Sequence, residues 1–125
     1  MTELSLELPT HDRRFTGRPH RYGWFVVSED HPLTLNFSGT AMIDYRTGDL
    51  RVWDPGPNRH AAEAFFVPGG PGEGEGWLLT FVYDRASDTS DLVILDAQRV
   101  ERGPVAEVRL PRRVPYGFHA VWVPA

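Results

Sequence analysis

The chain has 125 residues, a net charge of −4 at neutral pH and no cysteine. That length suits one domain or a piece of one, the missing thiols exclude disulfides and thiolate metal sites, and mild acidity without a basic stripe speaks against a nucleic-acid partner. There is no membrane span to expect, because no apolar run approaches the roughly 20 residues that one needs; nor does Met1-Thr-Glu-Leu-Ser5 look like a secretory signal, so a cytoplasmic location is expected.

The pattern is all-β, with short β-rich runs bounded by Gly, Pro, Asn and Asp. In chain order, strands are expected at Tyr22–Ser28, Thr40–Tyr45, Asp49–Asp54, Ala64–Val67, Trp77–Tyr83, Asp91–Asp96, Val105–Leu110 and Phe118–Val123. Arg46-Thr-Gly48 reads as a hairpin turn and Arg85–Ser90 as a polar loop. The best helical stretch, Arg59–Ala64, is too short to matter. Residues 68–76, Pro68-Gly-Gly-Pro-Gly-Glu-Gly-Glu-Gly76, read as a flexible surface loop without packing side chains. It is a poor phosphate cradle, since no helix follows it and its two Glu repel anions. Trp24, Trp77, Phe81 and Trp122 follow the strand period and are expected in the core.

The chain also repeats itself. Gly23-Trp24-Phe-Val-Val recurs as Gly76-Trp77-Leu-Leu-Thr after 53 residues, and Ala41-Met-Ile-Asp44 resembles Val93-Ile-Leu-Asp96. About four strands per unit of roughly 50 residues is the signature of propeller blades. At about 40 to 50 residues per blade, this chain holds two to three. A ring needs at least about four, and an open set leaves strand edges and apolar faces unpaired. An incomplete propeller is therefore expected, with most of the protein missing.

The C-terminal run Leu110-Pro-Arg-Arg-Val-Pro-Tyr-Gly-Phe-His119-Ala-Val-Trp resembles the end of the carotenoid cleavage oxygenases, a family that includes the retinal-pigment-epithelium isomerase and stilbene-cleaving enzymes. Glu63-Ala-Phe-Phe-Val-Pro68 with Gly76-Trp-Leu-Leu-Thr-Phe-Val-Tyr-Asp84, and Leu92-Val-Ile-Leu-Asp-Ala97, are similar to its penultimate block. Glu7-Leu-Pro9 and Gly17-Arg-Pro-His-Arg-Tyr22 are similar to a third block. The resemblance covers nearly the whole chain in order, so residues 1–125 are read as the C-terminal segment of such a domain. Two positions depart from it: Ala64 stands where the family usually has Pro, and Gly69 where it has a basic residue.

The resemblance implies a seven-bladed β-propeller with Fe(II) on its axis, held by four His that second-shell Glu residues orient. It implies that His119 is the last iron ligand, that Glu7 and Glu63 are orienting carboxylates, and that the other three His lie upstream of this chain. It further implies O2 and an apolar polyene or stilbenoid as substrates, with oxygen inserted into an alkene to give two carbonyl products. Phe118 and Trp122 are then candidates for the wall of a substrate tunnel. Glu7, Glu63 and His119 stand at equal intervals of 56 residues, as side chains converging from successive inner strands would. The chemistry agrees: a neutral imidazole suits Fe(II), and a carboxylate on its other ring nitrogen fixes the tautomer.

With one of four ligands, the isolated chain is expected to bind Fe(II) poorly and to lack cleavage activity. His11, His20, His31 and His60, in polar or loop-like contexts, are not expected to bind iron. Two other readings stay open. The chain could be a non-enzymatic β-sheet binding module, or it could self-associate through its open sheet edges to complete a ring.

Overall fold

The computed structural model describes residues 4–28 and 37–125; His31 lies outside them. Two antiparallel sheets follow one another along the chain. The first contains β1 (Ser5–Thr10), β2 (Tyr22–Ser28), β3 (Phe37–Asp44) and β4 (Asp49–Trp53), ordered as in the sequence. The second contains β5 (Arg59–Ala61), β6 (Phe65–Pro68), β7 (Gly76–Asp84), β8 (Thr89–Asp96) and β9 (Pro104–Arg109). Both β5 and β6 pair with β7, so together they form one broken inner strand. Each sheet is thus four strands deep and runs from an inner to an outer edge, as a propeller blade does. Single turns of 3-10 helix at Arg13–Phe15 and Val100–Arg102 complete the regular structure.

Aspartates set several strand ends. The side chains of Asp44, Asp54, Asp84 and Asp96 each accept the backbone N–H two residues on, at 2.8–3.0 Å. Such Asx turns stop one strand and aim the next. The two sheets then bury one face each against the other. Tyr22, Trp24, Met42 and Trp53 from the first meet Leu78, Val82, Val93, Leu95 and Val100 from the second. Trp24 is fully buried, stacks on Phe66 at 4.9 Å and donates its indole N–H to the Ala97 carbonyl at 2.7 Å. That bond satisfies the one polar atom the ring brings into the core.

Four expectations need correction. Phe118–Val123 is not a strand, because the N–H of Val114 and of Ala120 go to the side chains of Ser90 and Glu63 instead of a ladder. Trp77 and Trp122 are exposed at 44 and 45%. On β7 the core-facing residues are Leu78, Thr80 and Val82. A shift of one residue moves a side chain to the opposite face, and the 53-residue repeat of Gly-Trp is out of phase by that one step; Phe81 is half-buried on the same outer face. Two strands, β5 within the stretch Arg59–Ala64 and β1, are not announced by the sequence pattern.

The Gly-rich loop is also better fastened than its composition suggested. The Arg14 guanidinium donates to the carbonyls of Gly70 (2.8 Å) and Gly72 (3.0 Å), and the Glu73 carboxylate accepts the N–H of Tyr22 at 3.1 Å. Gly74 has a φ of 71°, and a Cβ there would strike the Tyr22 ring, so only glycine suits it. Among the described residues no helix is long and apolar enough to cross a membrane.

Candidate metal centre

The inner strand of the second sheet breaks at Ala62-Glu63-Ala64, between β5 and β6. The break is held open by hydrogen bonds: Ala62 N–H to the Phe81 carbonyl (2.9 Å), the Thr80 hydroxyl to the Ala62 carbonyl (2.8 Å), and the Thr10 hydroxyl to the Ala64 carbonyl (3.0 Å). The last of these joins β1 to the break. Glu63, outside the ladder, is nevertheless buried at 6% exposure.

Its carboxylate faces the segment that follows β9. Glu63 Oε2 accepts a hydrogen bond from His119 Nδ1 at 2.8 Å, and Oε1 accepts the backbone N–H of Ala120 at 3.3 Å. A carboxylate only accepts, so Nδ1 carries the proton and a neutral His119 has its lone pair on Nε2. The His119 side chain is 77% exposed. One nitrogen is therefore tied to a buried acid while the other faces open space, the arrangement found when a carboxylate orients a metal-ligating imidazole.

Two cavities meet at this pair. The smaller, about 310 Å³, is lined by Phe81, Tyr116, Phe118 and His60. The larger, about 990 Å³, is lined by Glu7, Phe65, Phe66 and Trp122. Glu63, His119 and Ala120 border both. Phe118 and Trp122 thus flank His119 on separate cavities. Glu7 shares the larger cavity with His119, and among the described residues it forms no side-chain hydrogen bond; it lies on β1 beside an irregularity in the ladder, where Leu8 has a φ of 49°. The broken inner strand at Glu63 is its counterpart in the second sheet.

Asp12 and Arg14 also border the larger cavity. Burial pushes the Asp12 carboxyl upward, but hydrogen bonds from the Arg14 guanidinium and from the N–H groups of Arg14 and Gly74 outweigh it and hold the pKa below its ordinary 3.8.

None of the remaining described histidines joins Glu63 and His119 in a metal-binding group, although His60 borders the smaller cavity and His11 the larger. His11 lies 5.2 Å from His20, centroid to centroid, and His20 meets Tyr45 edge-on. His60 is the one that sequence reasoning misjudged. It lies on β5, almost completely buried, with Nδ1 3.2 Å from the Phe37 carbonyl and its ring edge-on to Tyr116. The burial comes partly from the segment after β9, which no local sequence signal announces. Among the described residues no three His, Cys, Asp or Glu gather closely enough to hold a metal.

Residues 1–124 match the family model described as retinal pigment epithelial membrane protein. This chain belongs to that family. It is 36% identical over 124 residues to 9-cis-epoxycarotenoid dioxygenase NCED6, chloroplastic, of Arabidopsis thaliana, covering 98% of this chain and 21% of that one. It is 38% identical over 128 residues to isoeugenol monooxygenase of Pseudomonas nitroreducens, covering 94% and 27%. Among solved structures it resembles Pseudomonas brassicacearum lignostilbene dioxygenase at a TM-score of 0.88 and 26% identity, over 99% of this chain and 28% of that one. It resembles cobalt-substituted Synechocystis ACO at 0.86 and 31%, over 96% and 26%. The chain thus spans about a fifth to a quarter of the length of these curated relatives. The structural neighbours are seven-bladed β-propellers, and the two sheets here are blades of that fold. The carotenoid oxygenases of this family are in general iron-dependent.

Proposed function

We propose that this chain is the part of an alkene-cleaving non-haem iron oxygenase that supplies one histidine ligand, His119, with Glu63 as its orienting carboxylate. The observation that carries the reading is the 2.8 Å hydrogen bond from His119 Nδ1 to the buried Glu63, on a largely exposed imidazole that borders both cavities. The residues present fit a divalent ion of intermediate softness: an imidazole donor with a fixed tautomer and a buried negative charge close behind it. Glu7, on the same cavity, is the second acidic partner, placed to orient a further imidazole supplied by the rest of the ring.

When bound, Fe(II) would supply the activation of O2. The chain's own residues do the rest of what can be assigned here. Glu63 keeps the proton on Nδ1 and holds the ring and the Ala120 backbone at one height. Phe118 and Trp122 give apolar walls on either side of the ligand, suited to a polyene or stilbenoid. One imidazole does not hold iron, since a centre needs three or four donors in fixed geometry. The isolated chain is thus a poor binder and inactive, and its chemistry belongs to the completed propeller.

A chimera tests this directly, with the chain replacing its matching segment in Synechocystis apocarotenoid oxygenase. His119→Ala is expected to lower bound iron and oxygen uptake by at least about 10-fold, and Glu63→Ala by about 10–100-fold. Full iron and turnover in the His119→Ala chimera would sink the reading. A second reading is self-association of the chain alone. The outer strand β9 is exposed along its whole length, Val105 and Val108 included. A sharp oligomer by light scattering supports that reading, and a monodisperse monomer removes it.

A further inference from the structure

His119 belongs to a segment that no β-ladder fixes, yet its ring must arrive at Glu63 in one orientation. The segment crosses the outer face of the second sheet over a cross-strand row. His60 of β5, Tyr83 of β7 and Ser90 of β8 stand in register there. Each touches the segment. Ser90 Oγ accepts the Val114 N–H at 2.9 Å; Tyr116 packs edge-on to Tyr83 at 5.4 Å and to His60 at 6.3 Å.

Arg113 ties this row together. Its guanidinium lies 4.5 Å from the centre of the Tyr83 ring and 5.7 Å from that of Tyr116. Its Nε is 3.6 Å from Asp88 Oδ1, the same oxygen that accepts the Tyr83 hydroxyl at 2.7 Å. A planar guanidinium can stack on a ring and pair with a carboxylate at once, which an apolar side chain cannot. Asp88 sits in the β7–β8 hairpin, so the clamp is anchored to the sheet. Only Pro115, Gly117 and Phe118 separate these contacts from His119.

We propose that Arg113, held by Tyr83, Tyr116 and Asp88, is a positioning residue that sets the register in which His119 meets Glu63. It lines neither of the cavities beside His119 and acts through the course of residues 113–119. What it does to a metal rests on the reading of His119 given above; what it does to the ring does not.

The test is 15N-detected NMR of the His119 ring in the full 125-residue chain, with Glu63→Ala as reference. The wild type is expected to show one tautomer, protonated on Nδ1. Arg113→Met should shift both ring nitrogens toward the Glu63→Ala values, and Arg113→Lys, which keeps the charge without the planar fork, should shift them less. Wild-type ring shifts in Arg113→Met, even with a lowered melting temperature, would overturn the proposal, because the clamp would then only stabilise the fold. Should Arg113→Met not fold, Tyr83→Phe removes only the bond to Asp88. A smaller shift in the same direction supports the proposal there, and unchanged shifts overturn it. In the oxygenase chimera, Arg113→Met is expected to weaken Co(II) binding about 10-fold, as loss of a group supporting a ligand does. An altered tautomer with unchanged Co(II) affinity would retain the clamp and discard the metal reading.

Discussion

The two sheets and the segment after β9 achieve order by different means. Across β2, β3, β7 and β8, ladders of backbone hydrogen bonds run through most residues, and Trp24, Leu78, Val93 and Leu95 are fully buried between the sheets. After Leu110, whose N–H still bonds to the Ser90 carbonyl, side chains take over: Ser90, Arg113 and Glu63 each hold one point of a chain whose own apolar residues Phe118, Val121 and Trp122 remain exposed. The first region should fail all at once, as a packed core does. The second should detach point by point, at little cost to the whole. The metal-ligand candidate sits in the second region and its carboxylate in the first, so the 2.8 Å bond between them spans the boundary.

The largest effect should come from breaking the packed region. Trp24→Ala removes the ring that stacks on Phe66 and bonds to Ala97, and a large aromatic lost from a core typically costs about 3–5 kcal/mol. Chemical denaturation should show both sheets losing structure in one transition at a lower midpoint. Separate transitions for the sheets would mean that the shared core does not couple them. His119→Ala in the same chain should lower the midpoint less than Trp24→Ala does, because that side chain is largely exposed and the loss is confined to its bond with Glu63.

A smaller, pH-dependent effect belongs to Asp44. Hydrogen bonds from the Arg21 guanidinium (2.9 Å from Nε) outweigh its partial burial and, with the Arg46 N–H, bring its pKa from 3.8 to about 2. A carboxylate with a lowered folded pKa stabilises the fold fully above its unfolded value and loses that contribution as pH falls through the folded one. The acid-sensitive window is thus between about pH 4 and pH 2. Asp44→Asn should be less stable at neutral pH and lose less stability across that window, read as melting temperature against pH. Asp12 is also held below its ordinary value, against its burial, by its bonds to Arg14 and Gly74, so the difference between wild type and variant is the quantity to follow. Equal slopes in the two proteins would rule out the Arg21–Asp44 pair as an acid-sensitive tie.

Much of the packed region was legible in the sequence. Seven of the expected strands are present because β-branched and aromatic runs ended by Asp and Gly state both the element and its end. The phase of a strand is harder. Gly-Trp begins two similar units, but Trp24 is buried and Trp77 is not, since one residue of offset decides the face and local pattern does not fix it. At the site, two of the three residues at 56-residue intervals, Glu63 and His119, are hydrogen-bonded, while Glu7 shares only the larger cavity with them. The spacing could not show that His119 arrives on an unpaired segment, because a strand requires a partner strand and composition names only the propensity. The fastening of the Gly-rich loop by Arg14 and the burial of His60 were equally hidden, as both depend on residues about 55 positions away.

The smallest expected effect concerns Trp77, which is exposed on the second sheet. Its ring lies on the outer face of the second sheet, with 44% of the residue exposed, close enough to Gly69 of the Gly-rich loop that a Cβ there would meet it. A substitution on such a surface usually changes stability by no more than about 0.5 kcal/mol. Trp77→Thr keeps strand propensity and should melt close to wild type in the isolated chain. A loss of several kcal/mol would show that this face is covered, which in a lone chain means by another copy of itself. The same substitution in the oxygenase chimera asks the matching question of the neighbouring blade. A larger cost there than in the isolated chain would mark Trp77 as part of an interface that exists only when the ring is closed.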